Sequence, residues 1–314
     1  MFELRIHNER CSFEPQVRDE VLYESYHRGR CSKLSFEILS GGQSSQMFSI
    51  REGDSVSLRI DGKDVFWGVI FQRRTGFDGI ESIVAYDQLR YLKNRDTYIY
   101  WDKSASDVVR MIALDYQLRL GVIEPTHYVI PYRVEDNVTL DDIIENALDF
   151  ELERSGRRFT LIDEFGRLSL KSEAQMLSGV ILDKDVVGSY RFFSSIEGRN
   201  NRIKISRYDN SSGTRDIAVA NDPDSELKIG ILQHYIKTSD NDESLHQKAH
   251  SILRLRNKDE RSIIIKDAIG DTRVRGGSKV ALDLGGYKGD AIVLNCSHRL
   301  AENRHLMNLT VGGV

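Results

Sequence analysis

Residues 53–62 read GDSVSLRIDG, and residues 277–286 read GSKVALDLGG. Val56, Leu58 and Ile60 in the first stretch hold the same positions as Val280, Leu282 and Leu284 in the second. A period of two places one side of a strand inside and the other in solvent. Asp61-Gly62 is a tight-turn dipeptide, because glycine accepts the positive φ that hairpin turns demand, and Gly285-Gly286 stands at the matching place. In both copies an apolar run follows, VIFQRR or AIVLNCSHR, and then an alternating strand, ESIVA or HLMNLTV. Any two hairpins with this alternation look alike, so unrelated meanders remain an alternative. The shared order of three strands favours two related small β-barrels.

Outward from this repeat the pattern changes. Residues 1–100 are mostly strand-like, with FELRIH, SKLSFEI and a second turn signal at Asp78-Gly79. The middle shifts to a helical period. Ser104 to Asp107 and Thr139 to Asp142 have the form of capping boxes. Val108, Val109, Ile112 and Tyr116 then share one helix face, and Leu140, Ile143, Ile144, Ala147 and Leu148 share another. FTLIDEFGRLSLKS (159–172) reads as a hairpin folded over Glu164 to Gly166. From 186 the β character returns in NRIKISRYD, TRDIAVAND and LKIGILQHYIKT, separated by polar loops. A helix is expected over 243–257, with Leu245, Ala249, Ile252 and Leu253 on one face. The expected fold is mainly β with α+β: a first β-barrel domain at 1–100, an α/β domain with two helices and a hairpin at 101–185, and a second β-barrel domain with one helix at 186–314.

The 314 residues suffice for several domains, and 40% apolar with 29% charged residues is the composition of a folded, water-soluble chain. Lysine and arginine total 44 against 48 acidic residues, a net charge of -4 that argues against a dedicated nucleic-acid binder. Charges in MFELRIHNER interrupt the apolar core that a secretory signal needs, and no membrane span is expected. Cys11, Cys31 and Cys296 lack the spacing of a zinc or redox motif and read as reduced thiols.

The search for chemistry finds no nucleophile elbow, Walker loop or GxGxxG stretch. His246 and His250 stand one helical turn apart, but Gln247 replaces the glutamate of a zinc protease, and both read as exposed side chains. Glu135, Asp136, Asp141 and Asp142 read as a helix N-terminus. Asp222, Asp224, Asp240, Asp242 and Glu243 read as solvated loops without an EF-hand pattern, and a glycosidase pair stays open because carboxylate separation belongs to the fold. Gly276-Gly277 and Gly285-Gly286 lack the downstream helix of a phosphate cradle. Arg254, Arg256 and Lys258 suit a helix C-terminus. No catalytic residue, metal or cofactor is assigned.

One stretch remains. IVAYDQLRYLKNRDTYIY (83–100), SASDVVRMIALDYQL (104–118) and 132–172 resemble the baseplate hub proteins of contractile-tailed phages, in particular the lineage of PBSX-like defective prophages and phage-tail-like bacteriocins. The likeness covers most of the chain and is weaker in the first 40 residues and over 210–245. It implies a non-enzymatic homotrimer in the virion tail baseplate, assembled in the bacterial cytoplasm. Its partners would be the tail tube protein, the central spike protein and other baseplate proteins, with no membrane and no specific nucleic acid. Two similar barrels per chain would let a three-fold hub meet a six-fold tube. The tyrosine-rich stretch then reads as a short helical segment leaving the first barrel, with Leu89 and Leu92 inward, Arg90 and Tyr91 opposite, and Tyr86 and Arg95 at the margins. These four residues are the candidate interface, and an ordinary interdomain connection is the alternative. The competing functions are a cell-wall-degrading enzyme and a carbohydrate-binding module. The second needs an exposed aromatic platform, whereas Trp67 in VFWGVIF reads as core and Trp101 stands apart.

Overall fold

The computed structural model describes residues 1–39, 49–209, 213–238 and 244–313. They form strands β1 (Phe2–His7), β2 (Ser12–Phe13), β3 (Val17–Tyr26), β4 (Lys33–Leu39), β5 (Ser55–Ile60), β6 (Lys63–Thr75) and β7 (Ile80–Tyr86). A 3-10 turn, Gln88–Lys93, leads into β8 (Arg95–Ser104), helix α1 (Ala105–Asp115), β9 (Leu120–Ile123), β10 (Val129–Thr139), α2 (Leu140–Ser155), β11 (Phe159–Asp163) and β12 (Leu168–Ser172). There follow β13 (Leu177–Asp183), β14 (Ser189–Ser195), β15 (Arg202–Asp209), β16 (Thr214–Asn221), α3 (Pro223–Ile229), β17 (Gln233–Thr238) and α4 (Leu245–Arg256). The chain ends with β18 (Glu260–Ile269), β19 (Lys279–Leu284), β20 (Tyr287–Ala301) and β21 (Arg304–Gly312).

Both copies of the repeat become antiparallel meanders, β5-β6-β7 and β19-β20-β21. Ile60 pairs with Lys63 and Leu284 with Tyr287, so each first hairpin turns through two residues. Asp61 (φ 50°) and Gly62 (φ 74°) both take the positive φ that a type I′ turn needs. The alternating apolar residues fill two separate cores. Val56, Leu58, Ile60, Phe66 and Ile70 lie in one, and Val280, Leu282, Leu284, Ala291 and Val293 in the other.

Among the described residues the strands do not pair into two closed rings. β3 pairs with β20 from Val21–Leu300 to Tyr26–Asn295 and fuses the halves into one 13-stranded sheet. Among the described residues its path is open, running from β14 to β2. The two β-barrel domains expected from the repeat are seen only as two halves of one sheet: β3 gives one edge to β20, and among the described residues no pairing joins the remaining ends.

The middle segment follows its capping signals. Ser104 and Asp107 form the reciprocal box that starts α1, and Thr139 caps α2 by accepting from Asp142 N. The expected apolar faces are buried, apart from Tyr116, which is the C-cap of α1 and half-buried. The hairpin turns at Phe165 (φ 50°) and Gly166 (φ 80°).

The chain divides into two compact units, residues 1–191 with 263–314, and 192–262. The smaller lies inside the range expected for a second barrel. In it, β16-β15-β17 carry Ile203, Ile205, Ala218 and Ala220 against Leu245, Ala249, Ile252 and Leu253 of α4. Asp222 is not in a solvated loop: it caps α3 by accepting from Ser225 N, with Pro223 at the first helical position. The expected strand at 227–238 therefore begins only at Gln233. Asp240, Asp242 and Glu243 lie outside the described residues.

Candidate functional site

Strand β6 decides the geometry of the candidate interface. Phe66 and Ile70 point into the first core, so Trp67, Val69 and Phe71 face the opposite way. Full burial of one face and partial cover of the other explain the continuous apolar run VFWGVIF, which a strand with one wet face would not need. Trp67 is thus not a core residue as expected. It stacks on His7 (4.8 Å) and meets the edge of Phe165 (5.5 Å) at the tip of the β11-β12 hairpin.

Around Phe71 three of the four candidate residues converge. Tyr86 lies 5.6 Å from its ring, Tyr91 lies 6.0 Å away, and the Arg90 guanidinium sits 5.4 Å from the ring centre. The expected short helix is the 3-10 turn Gln88–Lys93, with Leu92 buried and Leu89 packed against the middle core. Arg95 is not part of the group. It leaves the turn along β8, where its guanidinium bonds the side chain and carbonyl of Asn137. Beside this cluster a cleft of about 360 Å³ is lined by Trp67, Tyr86, Tyr91, Asn94, Tyr116 and Arg119.

Behind the turn is a buried polar node that the pattern did not mark. Asp87 caps the turn through Leu89 N (3.1 Å) and accepts from Ser32 N (3.0 Å). Burial, and then the neighbouring Asp163, push its carboxyl up to about 7. Asp163 is raised by burial as well, and accepts from Gly166 N (2.7 Å). Arg275, from the loop before β19, donates to the Asp163 carbonyl. Nearby, His298 bonds the Val274 carbonyl (2.8 Å) and His305 (2.8 Å), and burial followed by the His305 charge lowers it to about 4. Gly276-Gly277 belongs to this region and has a packing role. Gly276 N donates to the Ser25 hydroxyl (3.0 Å), and a Cβ at Gly276 would meet the backbone of Tyr26.

The other candidates stay dispersed. His246 and His250 are exposed on α4, and no group of three or more potential metal ligands gathers among the described residues. Asp141 and Asp142 are in the first turn of α2 as expected, but Glu135 and Asp136 are in β10. Glu135 is held by Arg133 (2.6 Å) and Asn146, and Asp136 accepts from Thr97 (2.9 Å). Arg254 and Arg256 close α4, and Lys258 is exposed beyond it. Burial raises the Cys31 thiol to about 11 and pushes Cys296 higher still. Among the described residues no helix is long and apolar enough to cross a membrane.

The tail protein from Neisseria meningitidis MC58 has the same fold, with a TM-score of 0.74 at 13% identity over 99% of this chain and 96% of that one. The E. coli c3393 protein, described as a type VI secretion component with structural similarity to the T4 tail proteins gp27 and gp5, aligns over 98% of this chain and 76% of its own, with a TM-score of 0.57 at 8% identity. In sequence, the chain is 27% identical over 302 residues to the phage-like element PBSX protein XkdQ of Bacillus subtilis strain 168, covering 94% of this chain and 92% of that protein. The likeness is thus to phage tail and tail-like proteins in fold and to a protein of a phage-like element in sequence. The chain belongs to the YqbQ-like family, whose model matches residues 21–312.

Proposed function

We propose that the protein is the hub of a contractile tail baseplate, a homotrimer on which the tail tube begins and in which the central spike is seated. The observation that carries this reading is the pair of meanders. Each half offers the same strand order and a hairpin turn of the same two-residue length, so three chains would present a pseudo-six-fold ring to a six-fold tube. On this reading 1–100 and 186–314 supply the matching halves, and 101–185 is the α/β domain between them. The Phe71 cluster, with Tyr86, Arg90 and Tyr91, is the seam between subunits, and Arg95 supports it through the β8-β10 ribbon.

Quantitative mass spectrometry on sedimentable particles from an induced culture tests the proposal. A ratio to the tube subunit equivalent to about three copies per particle is expected for a closed three-fold ring. Absence of the chain from particles would overturn the hub reading.

A further inference from the structure

The smaller unit presents a sheet face that its own chain leaves open. The residues of β15, β16 and β17 that turn toward α4 form its core. The opposite face is set by the register: Val219, Lys204 and Tyr235 form one row, and Ile217, Ser206 and Lys237 the next. Tyr208 and Arg215 pair beyond them. A solvated antiparallel face is normally polar. Here Tyr208, Ile217, Val219 and Tyr235 are 42–54% exposed on it.

Among the described residues its unpaired charge is of one sign. Lys204, Arg215 and Lys237 find no carboxylate partner among the described residues, whereas Arg202 at the sheet end is neutralised by Glu226 at 2.8 Å. Tyr235 bonds Ser206, a residue on the open face that is nevertheless buried. That bond, followed by the charges of Arg215, Lys237 and Lys204, holds the phenol below the ordinary tyrosine range.

We propose that this face docks a different protein of the particle through an apolar patch rimmed by carboxylates, which Lys204, Arg215 and Lys237 would meet. An apolar centre inside a polar rim is the anatomy of a protein interface. A nucleic-acid platform would carry stacking rings where β16 carries Ile217 and Val219. Two copies meeting through this same face would set cation against cation.

The inference goes beyond the hub reading and does not depend on copy number. A photo-crosslinking amino acid is placed at Ile217 in the full-length chain in the producing cell, with Leu227 of α3 as the off-face control. The expected result is an adduct from position 217 to one other protein, in a peptide with Asp or Glu flanking apolar residues. The adduct should fall at least about tenfold in the triple variant Lys204→Glu, Arg215→Glu, Lys237→Glu, as loss of a salt-bridged rim predicts. The double variant Lys204→Gln, Lys237→Gln gives a partial loss and keeps the test readable if the triple variant does not fold. An adduct no stronger than at Leu227, one indifferent to these charges, or one to nucleic acid, to a basic peptide or to a second copy overturns the proposal. Copy number in purified particles is scored separately, so the hub reading can fail while the docking face stands.

Discussion

Arg275 donates from Nη2 to the main-chain carbonyl of Asp163 at 2.8 Å and so fastens the loop before β19 to the β11-β12 hairpin. Burial raises Asp87 and Asp163, and the Arg275 charge opposes the rise in both. Replacing Arg275 with alanine is expected to cost about 2–3 kcal/mol, as for a charged group lost from a partly buried bond. Arg275→Lys keeps the charge and loses the planar fork, so its melting temperature should fall between wild type and Arg275→Ala. Equal melting of all three chains would remove the node's stabilising role.

Gly276→Ala should be far more damaging than its size suggests. The added Cβ would stand 2.5 Å from the nitrogen and the Cα of Tyr26, backbone atoms of β3 that are fixed by pairing with β20. Nothing flexible can yield there, so a loss above about 3 kcal/mol is expected. Soluble yield and thermal unfolding check this, with Gly213→Ala as a comparison, where positive φ is the only obstacle.

Glu151 is fully buried in α2, and its Oε2 accepts from both His127 N (3.0 Å) and Tyr128 N (2.7 Å). Glu151→Ala strands two amides and leaves a cavity in the middle core, and should cost about 2–4 kcal/mol, while Glu151→Gln retains an acceptor and should cost less. Denaturant unfolding that ranks the two variants the other way would refute this account.

Glu151 also shows where sequence reading stopped. The apolar face of α2 was legible because Leu140, Ile143, Ile144, Ala147 and Leu148 repeat at the helical period, but the next position on that face is a carboxylate, whose partners come from a distant segment. The meanders were legible for the same local reason. Their fusion through β3 and β20 was not, since register between strands more than 250 residues apart leaves no periodic trace. Tyr86, Arg90 and Tyr91 were marked by composition alone, whereas Phe71, which gathers them, was hidden in a run that read as core. The Asp222 cap was missed because its signal, Asp-Pro, also opens turns.

Two buried groups should give the stability profile opposite slopes with pH. The Val274 carbonyl can only accept, so His298 carries its proton on Nε2 and accepts from His305 through Nδ1. Its native value of about 4 lies below the ordinary 6.5, so the unfolded chain binds more protons between them and stability falls as pH drops through that window. Asp87, raised from 3.8 to about 7, does the reverse: its contribution is present at low pH and is lost as pH rises toward 7. The stability of His298→Asn relative to wild type should therefore improve as pH falls from 6.5, and that of Asp87→Asn should improve as pH rises from 4. Unfolding by denaturant at four pH values across this range measures both slopes, and parallel curves would contradict the assignment.

The proposed seam makes a prediction that separates assembly from folding. Tyr91 touches Phe71 at the outer edge of the cluster and is half-buried in the single chain, so truncation should remove only a modest aromatic contact, about 1 kcal/mol. If neighbouring subunits complete its burial, Tyr91→Ala and Arg90→Ala should weaken the trimer at least about tenfold, as expected of aromatic and arginine anchors. Arg95→Ala, whose side chain is exposed and engaged with Asn137 of its own ribbon, should leave association within about twofold of wild type. Sedimentation over a concentration series reports association, and thermal unfolding reports the fold. A Tyr91→Ala chain that associates and melts like wild type would dismiss both the seam and the packing role of the tyrosine, whereas reduced melting with unchanged association would leave the residue as an internal connection between the first half and the middle segment.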